Sequence, residues 1–546
     1  MKKRLFITLL AATALYGTAD ACTNLIVTRG ASTDGSVIVT YAADSHQLYG
    51  ALYHSPAGRH KPGTMMQVVE WDTGRYLGDI PQAPITYSTV GNMNEHQVII
   101  GETTYGGRSE LADPEGKMDY GSMIYIGLQR AKSAREAIDV MVDLANTYGY
   151  VSEGESFTVA DSEEAWIFEV IGKGKGNKGI VWVARRIPDG CIAAHANQAR
   201  ITTFPKDDPE NCLYAPDVIE FAREKGYYEG SDDDFSFSDT YAPLDFGAMR
   251  GCEARVWSFF NRFAPDMEQY TDYAMGHNSS NRMPLWVTPS KKLSPKEVFD
   301  MMRDHYEGTP MDMTTDIGAG GSHLPYRWRP MYFEVDGAEY ANERAIATQQ
   351  TGFWFVAQAR NYLPDPVGGI IWFGTDDAAT SPLTPIYCGT QIVPECLSDK
   401  TADMLHYSDR SMFWTTNRIA QFAYLRYDVV GVEVRKVIDE WERAKLIEIQ
   451  AMDEGISRGS TSKMKKNATK YSVATAQALW QKWADLDDHL LVKFIDGNIK
   501  KQDADGNFID NGNGRNIPEF PDQPGYSEKW KRAVAADNGE VLKVVK

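Results

Sequence analysis

Hydrophobic and polar positions along the chain alternate in two distinct periods. Residues 24–28 (NLIVT) and 36–40 (SVIVT) are β-rich runs separated by RGASTDG, whose Asp34-Gly35 pair is a hairpin turn signal. Further strands are predicted at 97–101, 157–160, 165–170, 180–185 and 192–196. Short polar or glycine-rich links at 161–164 and 172–179 join several of them as hairpins. Helical spacing takes over elsewhere. Ser133 with Glu136 forms a capping box, and Ala137, Met141, Leu144 and Ala145 follow as one stripe up to Gly149. Ser294-Pro295-Lys296-Glu297 is a second helix start, with proline at the first helical position and Val298, Phe299, Met301 and Met302 behind it. From about residue 417 to 452, and again from 473 to 496, the pattern is long, charged and helical. A Ser-, Thr- and Lys-rich linker at 458–470 separates these two stretches, and a turn-rich tail follows from about 502. Consecutive antiparallel strands with separate helices predict an α+β fold. The length divides into a main domain at 22–415 and a helical extension with its tail at 416–546.

The first residues read as an export signal. Lys2, Lys3 and Arg4 precede an apolar stretch at 5–16, and Ala19-Asp20-Ala21 is the small-x-small triplet that signal peptidase cleaves. That stretch is too short for the ~30 Å of bilayer hydrocarbon, and no later one is long and apolar enough to span. The protein is therefore expected outside the cytoplasm, periplasmic or secreted. Cleavage after Ala21 makes Cys22 the N-terminal residue, a position with two chemical uses. Its thiol can be acylated as a lipid anchor, or it can attack a carbonyl while its own α-amino group, with pKa ~7.7–8.0, acts as general base. A lipoprotein signal wants a large aliphatic residue three positions upstream and uncharged small residues between. Ala19 and Asp20 fit neither requirement, so a free N-terminal cysteine is favoured over a lipid-anchored binding protein.

Composition narrows the chemistry. Of 546 residues, 43% are hydrophobic and 24% charged, the balance of a globular protein, and the formal charge of −19 argues against nucleic acid as a partner. The six cysteines at 22, 191, 212, 252, 388 and 396 are too few for a disulfide scaffold, although Cys388 and Cys396 could pair. No His/Cys spacing matches a zinc site, and Gly318-Ala319-Gly320-Gly321 lacks the lysine of a P-loop and reads as a flexible loop that could line a pocket. The segment from Asp503 to Asp510 has Phe508 where a calcium loop needs glycine, and reads as turns.

The blocks CTNLIVTRGASTDGSVIVTYAADSH, GNMNEHQVIIGETTYGG, DSEEAWIFEVIG, GIVWVARRIPDG, HANQARIT, RGCEARVWSFFNRFAP and QARNYLPDPVGGIIWFG occur in this order over residues 22–400. Together they resemble the peptidase family C69 dipeptidases, within the N-terminal nucleophile hydrolases. The resemblance implies a four-layer αββα sandwich, hydrolysis of dipeptides and no cofactor. Its more distant relatives, choloylglycine hydrolases and penicillin V acylases, cleave other amides with the same N-terminal cysteine, which leaves an N-acyl amidase as the alternative activity. By the same resemblance Cys22 is the nucleophile and Asp44 orients its α-amino group. Asn197 donates to the oxyanion, and Arg255 favours thiolate over thiol. One departure stands out: the family commonly places an arginine where this chain has Tyr41, which removes a positive charge and leaves thiolate stabilisation resting more on Arg255. Asn94-Glu95 is read as a hairpin turn, and His195, alternating with apolar neighbours, as a packed or hydrogen-bonded histidine rather than a catalytic one.

Overall fold

A computed structural model describes residues 22–545; the export signal read at 1–21 lies outside them. Two antiparallel sheets carry the molecule. The first has seven strands, in spatial order Trp286–Val287, Ile192–His195, Asn24–Val27, Val37–Asp44, Thr351–Ala359, Ile370–Thr375 and Thr384–Tyr387. The second has eight: Cys212–Tyr214, Ile180–Arg186, Ala165–Gly172, Gly154–Ala160, Ile99–Gly106, Met93–Asn94, Thr89–Val90 and His54–Ser55. The α+β class read from the sequence is the one observed.

Period-two alternation sorts the side chains between cores. Ile26, Val39, Phe355 and Phe373 from the first sheet share one cluster with Ile99, Ile167, Val181 and Val183 from the second. Their sequence neighbours turn the other way. Leu25, Val27, Trp354 and Trp372 pack with Trp257, Phe259 and Phe260 of the helix Ala254–Phe263 and with Val298 and Phe299 of the helix Pro295–Met301. Ile100, Phe157, Val159 and Phe168 pack with Ile138, Met141 and Leu144 of the helix Ala134–Tyr148. Strands buried on both faces leave little polar alternation: all eight positions of Ala165–Gly172 are buried.

Both predicted helices start where read, but only one capping box is complete. The Ser133 hydroxyl accepts from Glu136 N–H while the Glu136 carboxylate accepts from Lys132 N–H instead of Ser133, and Gly149 ends that helix at φ 81°. Ser294 and Glu297 complete a reciprocal capping box, with Glu297 Oε2 accepting from Ser294 N–H at 2.9 Å. The predicted strand at 36–40 extends instead to Asp44, because Val37–Asp44 pairs along its whole length with Thr351–Ala359, a partner some 300 residues away. The linker expected at 458–470 is mostly helical. The helix Thr461–Phe494 begins at an N-cap, Ser460, and its Met464, Ala468 and Tyr471 are buried against the first sheet's helix-side core, which overrides the polar composition. The tail forms turns, with Asp503 Oδ1 accepting from the backbone of Asp505 and Asn507, but it then enters a helix at Glu528–Leu542 that the turn reading missed. Cys388 and Cys396 are not paired. All six cysteines are free thiols, and these two donate to the carbonyls of Asp365 and Ala476. Among the described residues no helix is long and apolar enough to cross a membrane.

Candidate active site

Cys22 stands immediately before the Asn24–Val27 strand, in the interior of the first sheet between Ile192–His195 and Val37–Asp44. Thr23 pairs with Ala42, so the backbone leading out of Cys22 is already held in the ladder. Alternation turns the Cys22 side chain to the same face as Ile26, Tyr41 and Ala43, towards the second sheet. There its sulfur lies 3.4 Å from Glu102 Oε1 and 3.8 Å from the Tyr41 hydroxyl, which itself donates to Glu102 Oε1. Glu102 comes from Ile99–Gly106 and is completely buried.

The electrostatics at the sulfur are therefore acidic. Burial pushes the Cys22 thiol well above its ordinary range, and the charges of Glu102 and Asp44 push the same way; the backbone N–H of Asp44 and the Tyr41 hydroxyl oppose them. Glu102 is in turn raised by burial, and so is its neighbour Glu155, whose carboxyl lies within hydrogen-bond reach. Oε2 of each has no other protein partner, which fits a proton held between the two carboxyls.

Arg255 joins the pieces. It lies in the first turn of Ala254–Phe263, directly after a π-helical turn at Ala248–Glu253. One of its Nη atoms donates to the carbonyl oxygen of Cys22 at 2.5 Å and to Thr23 Oγ1 at 2.8 Å; the other donates to Asn197 Oδ1 at 2.9 Å and Ala196 O at 3.3 Å. Arg255 thus meets Cys22 at its carbonyl, whereas Glu102, Asp44 and Tyr41 act on the sulfur. Asn197 follows the strand Ile192–His195 and sits in the left-handed region at φ 57°, a conformation asparagine tolerates better than most residues. Arg255 on its oxygen and the carbonyl of Thr104, 2.6 Å from its nitrogen, fix the direction of its amide. Asp44, at the end of Val37–Asp44, is fully buried against Arg344 (2.5 Å) and Thr351 (2.6 Å), and burial raises its carboxyl against the pull of Arg344.

The four residues singled out in the sequence are accordingly brought to one place. A cavity of about 1120 Å³ opens beside them, with Asn197, Arg255, Arg329 and Arg344 in its wall. His195 is outside it. Its two ring nitrogens sit 2.7 Å from Thr103 and Thr158 hydroxyls, as a structural histidine would, and burial lowers its pKa to about 3. The turn expected at Asn94-Glu95 falls one residue later, at Glu95-His96, with Asn94 ending the strand Met93–Asn94 and Glu95 paired to Lys465. The glycine run at 318–321 belongs to a short 3-10 segment held by Asp316 and is not part of the cavity wall. Glu102 and Glu155 were missed. The available signal was a carboxylate at inward-facing positions of two otherwise buried strands, where an acid is almost never left without a partner.

A family model described as peptidase family C69 matches residues 21–440. A probable dipeptidase of Latilactobacillus sakei is 24% identical over 85% of this chain and 94% of its own length. A probable dipeptidase of Salmonella dublin is 26% identical over 68% and 82%. Dipeptidase A of Lactobacillus helveticus is 22% identical over 79% and 87%. With the model spanning most of the chain and relatives matched over most of their length, this protein belongs to peptidase family C69 and is a peptidase, a hydrolase acting on peptide substrates.

Proposed function

We propose that this protein is an exported cysteine dipeptidase with the four-layer αββα architecture of the N-terminal nucleophile hydrolases, the helices after residue 415 forming an extension of its catalytic domain. Removal of residues 1–21 makes Cys22 the N-terminal residue and supplies the α-amino group that serves as base. The thiol loses its proton to that amine, and the sulfur attacks the peptide carbonyl. The oxyanion forms beside the Asn197 amide, with a backbone N–H as second donor. The protonated amine then hands its proton to the leaving amine, so the first product departs and a thioester remains. Water, deprotonated by the same amino group, attacks the thioester; the acid product leaves and the thiol is restored. Tyr41 and Glu102 hold the thiol between turnovers, a neutral hydroxyl and a carboxyl that accept from it where the family commonly has an arginine. Asp44, held by Arg344, orients the amine.

The observation that carries this reading is the single Arg255 guanidinium bonded both to the Cys22 carbonyl and to Asn197 Oδ1, which ties the nucleophile's residue to the oxyanion donor. The names of the relatives support dipeptides as the substrate class. The test combines an intact mass of the exported protein with hydrolysis of dipeptides, glycocholate and penicillin V by wild type and Cys22→Ala. Cleavage after Ala21 without added acyl mass, dipeptide hydrolysis by wild type and none by Cys22→Ala are expected. Equal activity of both proteins, turnover of the non-peptides alone, or a diacylglyceryl adduct on Cys22 overturns it.

A further inference from the structure

The arginines in the cavity wall differ in what already neutralises them. Arg250 is paired with Glu343 at 2.7 Å, Arg344 with Asp44 at 2.5 Å, and Arg255 spends its donors on Gly251, Cys22, Thr23, Ala196 and Asn197. Arg329 is unlike them. It is exposed, its Nε and one Nη share the neutral Oε1 of Gln350 at 3.1 and 2.7 Å, and no carboxylate among the described residues lies within ion-pair distance of it. Its surroundings are positive as well. Although part of the side chain reaches solvent, the protein packed around it and the charge of Arg344 lower its pKa to about 10, with Arg255 adding to this and Asp44 opposing it.

Another part of the lining is of opposite sign. A hairpin of Tyr332–Val335 and Ala338–Ala341 turns at Asp336-Gly337, both at positive φ as a two-residue hairpin loop requires, and it sets Glu334 directly opposite Glu339. Both glutamates line the cavity, and like charges in that register repel. The cavity therefore carries a cationic and an anionic pole within one space, the field that suits a small zwitterion.

We propose that Arg329 is the anchor for the free C-terminal carboxylate of the peptide substrate. A guanidinium presents parallel N–H donors that match a carboxylate, and Arg329 can swing from a neutral amide to a charged acceptor with net gain. In a dipeptide the carboxylate lies one residue, roughly 3.3–3.6 Å, beyond the scissile carbonyl, and Arg329 shares its cavity with Asn197, the proposed oxyanion donor. An anchor so placed selects peptides that end one residue after the cut. This inference rests on the peptidase reading of the site and adds the group that fixes substrate length.

The experiment compares a dipeptide with its C-terminal amide on mature wild type, Arg329→Gln and Arg329→Lys. In wild type the amide should show a KM about 10- to 100-fold higher than the acid, with kcat changed far less. Arg329→Gln should raise KM for the acid by a similar factor and leave KM for the amide near the wild-type value, and Arg329→Lys should recover part of the preference. Equal KM for acid and amide in wild type, or selectivity retained in Arg329→Gln, overturns the assignment. Should Arg329→Gln not fold, Arg329→Lys decides: a weakened preference for the acid supports the assignment, and an unchanged one overturns it. Should wild type cleave no peptide, the catalytic reading fails separately, and calorimetric titration of Cys22→Ala with the dipeptide and its amide decides the subsite: tighter binding of the acid supports it, equal binding or none overturns it.

Discussion

His195 offers a quantitative test of how the two sheets are tied together next to Asn197. It projects from the first sheet, and its ring bridges Thr103 and Thr158, one on each of two neighbouring strands of the second. Burial, with a smaller contribution from the charge of Arg200, lowers its pKa to about 3. An unfolded histidine titrates near 6.5. Above pH 6.5 both states are neutral and the folded bridge contributes fully. As pH falls below 6.5 the unfolded chain takes up a proton that the folded one refuses, so stability is lost progressively until the pH reaches about 3. At 1.36 kcal/mol per decade the full span is worth about 5 kcal/mol, of which about 3 kcal/mol is lost by pH 4. Urea unfolding followed by circular dichroism at pH 7 and pH 4, on wild type and His195→Gln, isolates this term, because the carboxylates titrate alike in both proteins. The stability difference between the two should move by about 3 kcal/mol in favour of the variant at pH 4. A difference that stays within about 1 kcal/mol across that range would show that His195 is protonated or solvated in the folded state.

Replacing Asn197 with Ala should lower kcat for dipeptide hydrolysis about 10²- to 10³-fold with KM within a few-fold of wild type; steady-state kinetics with an unchanged kcat would remove it from the oxyanion site. Glu102→Gln deletes a charge that raises the Cys22 thiol, so iodoacetamide should alkylate Cys22 of the mature variant several-fold faster at pH 7–8, read by mass spectrometry, and a slower reaction contradicts the placement of that charge. Trp483 is fully buried in the helix Thr461–Phe494, so Trp483→Ala should cost about 3–5 kcal/mol in chemical denaturation, whereas a loss below 1 kcal/mol would mean the extension folds independently of it.

Local chemistry was legible in the sequence wherever it is decided locally. The Ser133 and Ser294 caps act within four residues of themselves, and the strands from 154 to 186 follow one another as hairpin neighbours. What escaped depends on partners far along the chain. Tyr41 to Asp44 become strand only because Thr351–Ala359 arrives beside them, and the helix at 461–470 is held by a core that composition does not reveal. At the site, Cys22, Asp44, Asn197 and Arg255 were readable through family resemblance. Arg255 nevertheless meets the Cys22 carbonyl rather than its sulfur, and the acid bonded to that sulfur, Glu102, comes from the opposite sheet, which no spacing near residue 22 encodes.

The setting of Cys22 also dictates how the protein should be produced. Neighbouring strands grip the chain on both sides from Thr23 onward, so a purification tag or leftover start methionine cannot be absorbed by a flexible leader, and it would block the amine on which turnover is proposed to depend. On the proposed mechanism, a recombinant version needs a leader that is removed to the last residue before Cys22. The opposite end is the permissive one: residues 543–545 follow the last helix, are exposed and take part in no sheet, and a tag appended there leaves the nucleophile untouched.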